Sequence, residues 1–209
     1  MSLLHHEALV AALCEDDLSK RLVLTPLLDR KQIGPASIDL RLGTRFLLLR
    51  RTLDSGLDPG GTPQTAIEES QEAVSVPLGE SLWLHPQQFV LGATLEFLRL
   101  PLHVGAYVLG RSSWGRVGLL VATAVMVQPG YTGTLTLELV NEGDSPIRLY
   151  PGVRIAQLAV HKMEGTTSQP YTRRGAKYMA PTGPQPSRLA KERREIARVR
   201  RLAKRLADR

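Results

Sequence analysis

The 209-residue chain has 43% hydrophobic and 22% charged residues, which is typical of a globular protein and excludes disorder along its whole length. The net charge of +7 lies in residues 187–209, which hold ten Lys and Arg against three Asp and Glu, so the preceding residues form no basic nucleic-acid-binding body. One cysteine, Cys14, excludes a disulfide framework and a multi-cysteine zinc site, and no apolar run reaches the ~20 residues that span a bilayer, so we expect a cytoplasmic protein with no membrane partner.

The N-terminal part of the chain is predicted to contain a helix and then a strand. Residues 6–20 carry loosely periodic leucines beside an acidic cluster, which indicates a helix. Apolar and polar residues alternate over residues 38–42 and stop at a glycine, which predicts a half-buried strand. Residues 53–80 are rich in Gly, Pro, Ser and Glu, so we expect an exposed excursion with one short strand at Ala73–Val76.

Short apolar runs separated by turn residues occupy the chain from residue 81 to residue 163. The turns recur about every eight to twelve residues, which is typical of all-β sandwiches, jelly rolls and distorted barrels rather than of βαβ folds. A mainly β fold is therefore predicted. The expected strands are Ser81–Leu84, Phe89–Leu98, Val104–Leu109, Gly118–Val121, Thr134–Val140, Ile147–Leu149 and Ile155–Val160.

The C-terminal part of the chain changes composition twice. Residues 164–187 are rich in Gly, Pro, Thr and Ser, which predicts a mobile segment. Residues 189–209 place apolar residues near one face and Arg or Lys elsewhere, which predicts a basic amphipathic helix. Because a short helix is marginal alone, we expect it to pack on the body or on another subunit, with binding to nucleic acid or another polyanion, or disorder, as alternatives.

The strand predicted around Glu138 carries the first chemically informative pattern. Leucines alternate with polar residues there, and the polar residues are Thr134, Thr136 and Glu138. A carboxylate in mid-strand beside two threonines favours a polar cavity, and a solvated strand carboxylate is the alternative.

The segment 110–116 carries the second pattern, two guanidiniums and two hydroxyls bracketed by glycines: Arg111, Ser112, Ser113 and Arg116. An arginine presents a planar fork that matches phosphate oxygens, and serine hydroxyls and backbone N–H groups complete such a site. The chain has no Walker-type loop. The segment therefore indicates oxyanion binding, with a charged hairpin as the alternative.

Together these segments and their surroundings resemble the dCTP deaminase branch of the dUTPase superfamily over residues 10–188. The matching blocks are GPASIDLRLG at 34–43, LGATLEFLRLP at 91–101, GRSSWGRVGL at 110–119, QPGYTGTLTLELVN at 128–141, PIRLYPGVRIAQL at 146–158 and GAKYMAPTGPQPSR at 175–188. The resemblance implies a distorted β-barrel or jelly-roll subunit, to which the sequence pattern adds the N-terminal helix and a C-terminal helical extension that is not a usual family element. It implies a homotrimer with active sites shared between neighbouring subunits. The parts expected are a nucleotide-binding β domain at 1–163, a mobile lid at 164–188 and a basic helix at 189–209.

The resemblance also implies residue roles. Glu138 matches the family's general base, which activates water for attack on C4 of cytosine. Arg111, Ser112, Ser113 and Arg116 match the segment that binds the triphosphate, and the family places Ser112 and Arg116 beside the attacking water. The remaining implied nucleotide contacts are the backbones of Thr136 and Leu137, and the side chains of Gln157, Tyr171 and the lid residue Lys177.

The activity that the resemblance implies is zinc-independent hydrolytic deamination of dCTP to dUTP, with release of ammonia. Zinc deaminases carry H-x-E and P-C-x-x-C motifs, and neither spacing occurs here. We expect Mg²⁺ to enter with the triphosphate rather than on a protein cage, and we assign no residue as a metal ligand.

Two departures from the family pattern bear on the reaction. Gln128 stands where the family usually has an aspartate that contacts the sugar 3′-hydroxyl, and an amide hydrogen-bonds a hydroxyl but cannot act as a base. Pro181 stands where the family commonly has a glutamine. The alternatives are a bifunctional enzyme that forms dUMP and pyrophosphate, which Gln128 argues against, and a non-catalytic nucleotide-sensing trimer.

Overall fold

The computed structural model shows two compact units, each built from two stretches of chain. The larger unit comprises residues 1–47 and 73–185, and the smaller unit comprises residues 48–72 and 186–209. The residues that the structure describes are 2–50, 56–123, 126–171, 178 and 180–207.

The described residues are mainly in strands, as the spacing of turns predicts. The strands are β1 (Ser2–Leu3), β2 (Val23–Thr25), β3 (Ile38–Arg41), β4 (Arg45–Leu49), β5 (Gln71–Ser75), β6 (Leu82–Leu84), β7 (Phe89–Arg99), β8 (Val104–Gly110), β9 (Leu119–Val121), β10 (Met126–Val127), β11 (Thr132–Asn141), β12 (Ile147–Leu149) and β13 (Arg154–Lys162). The helices are α1 (His6–Cys14), α2 (Gln64–Glu69), α3 (Ser112–Gly115) and α4 (Arg193–Ala207), with 3-10 turns at Arg30–Gln32 and Leu189–Glu192. The predicted mainly β fold, N-terminal helix and C-terminal helix are confirmed.

Two large sheets and one small sheet organise these strands. One sheet has the order β1-β13-β8-β10, with β3 also pairing with β13. The second has the order β5-β4-β7-β11-β9, with β2 also pairing with β7, and β6 pairs with β12 alone. Within the described part of the chain the strands form these three sheets and no closed barrel. None of the helices described there combines the length and the apolar character that crossing a membrane requires.

The antiparallel pair β7 and β11 forms the centre of the larger unit. The alternate side chains of β11 behave as predicted, because Leu137 and Leu139 are fully buried while Glu138 between them is half-buried. Burying each leucine stabilises the fold by about 1.5–3 kcal/mol. Leu137 lies opposite Gly92 of β7, where a side chain would meet the Leu42 side chain at 3.1 Å.

A buried carboxyl group on β7 links three elements of the larger unit. Glu96 is fully buried, and its two carboxyl oxygens accept hydrogen bonds from the Gln32 side chain at 2.7 Å and from the Arg41 backbone N–H at 2.9 Å. Burial raises the pKa of Glu96, and these two hydrogen bonds oppose that shift. The group joins the 3-10 turn at Arg30–Gln32 to β3 and β7.

Two predictions from the sequence differ from the structure, one in the length of a helix and one in the content of an exposed segment. The helix predicted over residues 6–20 ends at Cys14, because the Asp17 carboxylate binds the backbone N–H and hydroxyl of Ser19 and so favours a turn. The excursion predicted over 53–80 contains helix α2, whose Ile67 side chain is buried, and the expected short strand within it is β5. Strands β1, β2, β4 and β10 were not predicted.

Candidate functional site

The predicted oxyanion-binding segment forms a single helical turn, α3, at the end of β8. Arg111 is the N-cap of this turn and Arg116 ends it, and the Arg116 backbone N–H donates to the Ser112 carbonyl at 3.0 Å. Ser112, Ser113 and Arg116 are exposed, whereas Arg111 is half-buried. A helical turn replaces the charged hairpin that was the alternative, and it leaves two hydroxyls and one guanidinium available to an anion.

Asp39 on β3 connects Arg111 to two residues of β13. Its Oδ1 atom accepts a hydrogen bond from Gln157 Nε2 at 3.1 Å and lies 3.7 Å from Arg111 Nε. Its Oδ2 atom lies 3.3 Å from Arg154 Nη1, and Arg154 Nη2 also contacts Asp29 Oδ2 at 2.9 Å. With only 12% of its side chain exposed, Asp39 holds these cations in a partly desolvated network.

Trp114 fixes the helical turn against β13. Its indole Nε1–H donates to the Arg154 carbonyl at 2.9 Å, and the Arg111 backbone N–H donates to the Ile155 carbonyl at 3.4 Å. These bonds set the position of the exposed serines of α3. No role was predicted for Asp39 or Arg154, although Asp39 lies on the polar face of the strand predicted over residues 38–42.

Glu138 lies in the middle of β11, and its backbone is held from the side of β9. Its N–H donates to the Thr123 hydroxyl at 2.6 Å, and its carbonyl accepts from the Ala122 N–H at 2.8 Å. Thr123 is itself buried. Among the described residues, none forms a hydrogen bond or an ion pair with the Glu138 carboxylate. A half-buried, uncommitted carboxylate on a fixed strand is suited to accept a proton from a bound water.

The C-terminal segment 180–185 packs along the start of β11. The backbone N–H and the hydroxyl of Thr134 both donate to the Pro181 carbonyl, at 2.8 and 3.1 Å. The Ala180 N–H donates to the Thr132 carbonyl at 3.0 Å. Pro181 departs from the family pattern, but it accepts these hydrogen bonds through its backbone carbonyl. Any other residue at this position would offer the same acceptor.

The same segment reaches the polar face that carries Thr136 and Glu138. The Gln185 N–H donates to the Thr136 hydroxyl at 3.2 Å. The segment passes so close to β11 that a Cβ atom on Gly133 would lie 2.3 Å from Pro181 Cδ, and Gly133 also has a φ of +134°. A residue without a side chain is needed at this position for the segment to pack there.

Gln128 and Tyr171 lie together at the turn before β11. Gln128 is exposed, and its carbonyl accepts from the Tyr131 N–H at 3.0 Å. The Tyr171 N–H donates to the Pro129 carbonyl at 3.0 Å, and its ring centre lies 5.8 Å from that of Tyr131. The Tyr131 hydroxyl donates to the Thr134 carbonyl at 2.7 Å, and burial raises its pKa.

The sequence-predicted residues thus fall into separate groups. Arg111 and Gln157 meet at Asp39, whereas Glu138 shares no hydrogen bond or ion pair with α3 within the described ranges. The Leu137 side chain is fully buried, so only its backbone is available to a ligand. Lys177 lies outside the described residues. Within the described residues, no group of three or more His, Cys, Asp or Glu side chains is placed so that it could hold a metal ion.

Comparisons with known proteins identify relatives over most of the chain. The family model for dCTP deaminase-like proteins matches residues 8–163. The dCTP deaminase of Natronomonas pharaonis is 43% identical over 175 residues, which cover 82% of this chain and 89% of that protein. The dUMP-forming dCTP deaminase of Dictyoglomus thermophilum is 42% identical over 172 residues, which cover 81% of this chain and 87% of that protein.

A solved structure has a similar fold. The 2′-deoxycytidine 5′-triphosphate deaminase from Agrobacterium tumefaciens aligns with a TM-score of 0.57 at 27% sequence identity. The alignment covers 77% of this chain and 47% of the Agrobacterium chain. This chain therefore spans about half the length of the solved structure that it matches.

Proposed function

The chain belongs to the dCTP deaminase-like family, and on that premise we propose that it deaminates dCTP to dUTP by hydrolysis and releases ammonia. The observation that carries the proposal is the position of Glu138. Its carboxylate is half-buried on a strand whose backbone is fixed by Thr123 and Ala122, and it has no hydrogen-bond partner or ion pair among the described residues. It is therefore free to act on water.

In the proposed reaction Glu138 is the general base. It takes a proton from water as the water oxygen bonds to C4 of the cytosine ring, and the proton passes to the ring nitrogen. The hydroxyl that water leaves on C4 then gives its proton to the exocyclic amino group, with Glu138 as the carrier, and the C4–N bond breaks as the C4 carbonyl forms, so that the amino group leaves as ammonia. The sum is dCTP plus water giving dUTP plus ammonia.

We assign the triphosphate to the exposed donors of α3 together with Arg111, its half-buried N-cap residue, which also lies beside Asp39. Arg111 and Arg116 supply guanidiniums and Ser112 and Ser113 supply hydroxyls, a set that suits phosphate oxygens. The substrate is taken as the Mg²⁺ complex of dCTP, with the phosphate oxygens as the metal's ligands. Gln157 and Tyr171, the lid with Lys177, the backbones of Thr136 and Leu137, and Gln128 at the sugar complete the proposed nucleotide contacts.

We further propose that the active unit is a homotrimer whose sites combine residues of two subunits. The observation in favour is the lack of a hydrogen bond or ion pair between Glu138 and α3 within the described part of one chain. A neighbouring subunit that presents its own α3 to Glu138 would complete the site.

The decisive experiment compares two glutamate variants. Glu138→Gln keeps the size of the side chain but removes the base, so we expect ammonia release from Mg–dCTP to fall by at least about 100-fold with the oligomeric mass unchanged. Glu142→Gln changes an exposed glutamate just after the same strand and is expected to retain full activity. Full activity in Glu138→Gln, or no turnover of dCTP by the native chain, would refute the proposal.

The identity of the product separates this proposal from one close alternative. Relatives of similar identity include both dCTP deaminases and dUMP-forming dCTP deaminases, so a bifunctional reaction that yields dUMP and pyrophosphate is the second candidate. Gln128 favours dUTP, since an amide cannot act as a base for phosphate hydrolysis. Chromatography of the reaction mixture decides, because dUTP accumulates in one case and dUMP in the other.

A further inference from the structure

Helix α4 in the smaller unit has two chemically distinct faces. At 100° per residue, its apolar side chains fall within an arc of about 120°: Ile196, Val199, Leu202 and Leu206. Glu195 lies in the same arc in the first turn, so the continuous apolar surface begins at Ile196.

Three of the four residues of this apolar arc are exposed, and Ile196 is half-buried. The exposed fractions are 58% for Val199, 48% for Leu202 and 71% for Leu206, and no residue of α4 is buried. In the first turn of the helix the Arg193 guanidinium donates to the carbonyls of Gly60 and Gly61 at 3.0 Å each. The remaining turns therefore offer a contiguous apolar surface to a partner.

Cations occupy the opposite face and border the apolar arc on both sides. The basic residues of α4 fall within an arc of about 160°: Arg193, Arg194, Arg198, Arg200, Arg201, Lys204 and Arg205. Arg198 lies one turn before Leu202, and Arg200 lies one turn after Ile196. Long basic side chains in these positions place their charged ends at the level of an anionic layer while their stems stay beside apolar groups.

We propose that α4 is a surface-binding helix that docks on bilayers containing anionic phospholipid. A bilayer interface offers negative headgroups directly above an apolar layer, so it satisfies both faces of the helix at once. Docking in the plane of the interface needs no membrane-spanning segment. The sequence-based expectation of no membrane partner rested on the lack of such a segment.

Two other occupants fit the helix less well. Nucleic acid would neutralise the basic face through its phosphates, but it would leave the apolar arc in water. A second copy of the helix would cover the apolar arc, but the chain's whole net charge of +7 lies in this tail, and two copies side by side would repel. Charge complementarity together with the apolar arc favours the anionic bilayer.

Flotation of the full chain with vesicles tests the proposal. We expect vesicles of phosphatidylcholine and phosphatidylglycerol, mixed about 3:1, to bind at least about tenfold more protein than vesicles of phosphatidylcholine alone. Two double variants, Leu202→Gln/Leu206→Gln and Arg201→Gln/Arg205→Gln, should each lose about tenfold of that binding. The control Leu18→Gln/Leu78→Gln removes exposed leucines outside the helix and should bind like the native chain.

Three results would overturn the proposal. Equal binding to both vesicle types would remove the role of anionic lipid. Unchanged binding by Leu202→Gln/Leu206→Gln, together with tight binding of the native chain to a DNA duplex of about 20 base pairs, would assign the helix to nucleic acid. A smaller oligomeric mass of Leu202→Gln/Leu206→Gln by light scattering, with no vesicle binding by the native chain, would assign it to contacts between copies.

Discussion

The hydroxyl of Thr123 accepts a hydrogen bond from the backbone N–H of Glu138 at 2.6 Å. The bond joins a buried side chain to the backbone of the proposed general base, so it fixes where the carboxylate projects from β11. The rate of a catalysed reaction depends strongly on the position of the catalytic group, because a small displacement of that group lowers the rate enhancement it provides.

Replacing Thr123 therefore tests whether this bond positions the base. We expect Thr123→Val to lower kcat about tenfold or more while KM for dCTP changes little, because valine keeps the shape but not the acceptor. Thr123→Ser keeps the hydroxyl and should recover most of the activity. Steady-state kinetics of ammonia release measure both variants, and equal rates in Thr123→Val and Thr123→Ser would contradict the positioning role.

Asp39→Asn removes the charge that connects Arg111, Arg154 and Gln157. The partly buried arginines lose their carboxylate partner, so we expect the free energy of unfolding to fall by about 1–3 kcal/mol and KM for dCTP to rise. Asp29→Asn removes the charge from the more exposed contact to Arg154, while an asparagine oxygen still accepts from the Lys31 N–H as the N-cap of the 3-10 turn, so it should cost less than about 1 kcal/mol. Urea denaturation and kinetics measure both variants, and equal effects would refute a special role for Asp39.

Gly133→Ala tests how the C-terminal segment packs on β11. The new Cβ atom would overlap Pro181, so we expect residues 180–185 to be displaced and KM for dCTP to rise several-fold. Gly56→Ala is the matched control, because Gly56 also has a strongly positive φ, +147°, but nothing lies within 4 Å of its added Cβ. Steady-state kinetics and limited proteolysis of the two variants separate the effect of steric overlap with Pro181 from the effect of backbone strain. Equal changes in KM and in proteolysis for both variants would show that strain alone is responsible.

Glu96 predicts a specific dependence of stability on pH. Burial raises its pKa in the folded state above its value in the unfolded chain, so the folded state binds the proton more tightly. This contribution to stability is complete below the unfolded pKa of about 4.5 and is lost as pH rises through the folded pKa. The free energy of unfolding of the native chain minus that of Glu96→Gln should therefore fall over this window. A difference that stays flat or rises between pH 4 and the folded pKa would contradict the prediction.

Mixing two inactive variants tests the shared site. We expect Glu138→Gln and Arg116→Ala each to be nearly inactive, but random mixed trimers of the two should recover about a quarter of native activity, because about one interface in four pairs an intact Glu138 with an intact Arg116. The assay needs subunits that are co-refolded or co-expressed in equal amounts. Mixtures no more active than the separate variants would show that each site lies within one chain.

The alternation of side chains made β11 predictable from sequence. Strand periodicity places Glu138 opposite the buried leucines whatever the strand pairs with, and the structure has it there. The donors of α3 were likewise identifiable from composition, although their helical turn was not. The catalytic and binding roles of these residues, and that of Lys177, stay predictions.

Features that depend on distant parts of the chain were not accessible in this way. Asp39 contacts Gln157 because β3 pairs with β13. The alternation of residues in one strand does not predict which other strand it pairs with. Helix α2 holds several good helix formers, but it lies in a glycine- and proline-rich stretch, and the burial of its Ile67 side chain could not be read from that composition. The 2.3 Å separation that a Cβ atom on Gly133 would have from Pro181 also depends on the folded path of the C-terminal segment.

Glu138 shares no hydrogen bond or ion pair with α3 in the described part of one chain. If a neighbouring subunit completes the site, activity depends on the concentration of the protein itself. Under the proposed assembly each chain carries halves of two different sites, so a dissociated subunit has no complete active site and converts no substrate. Specific activity would then rise with protein concentration and collapse on dilution, without any change in sequence or substrate. The rate of dUTP formation would then stay low at low expression levels. It would rise once enough copies of the chain are present to form trimers.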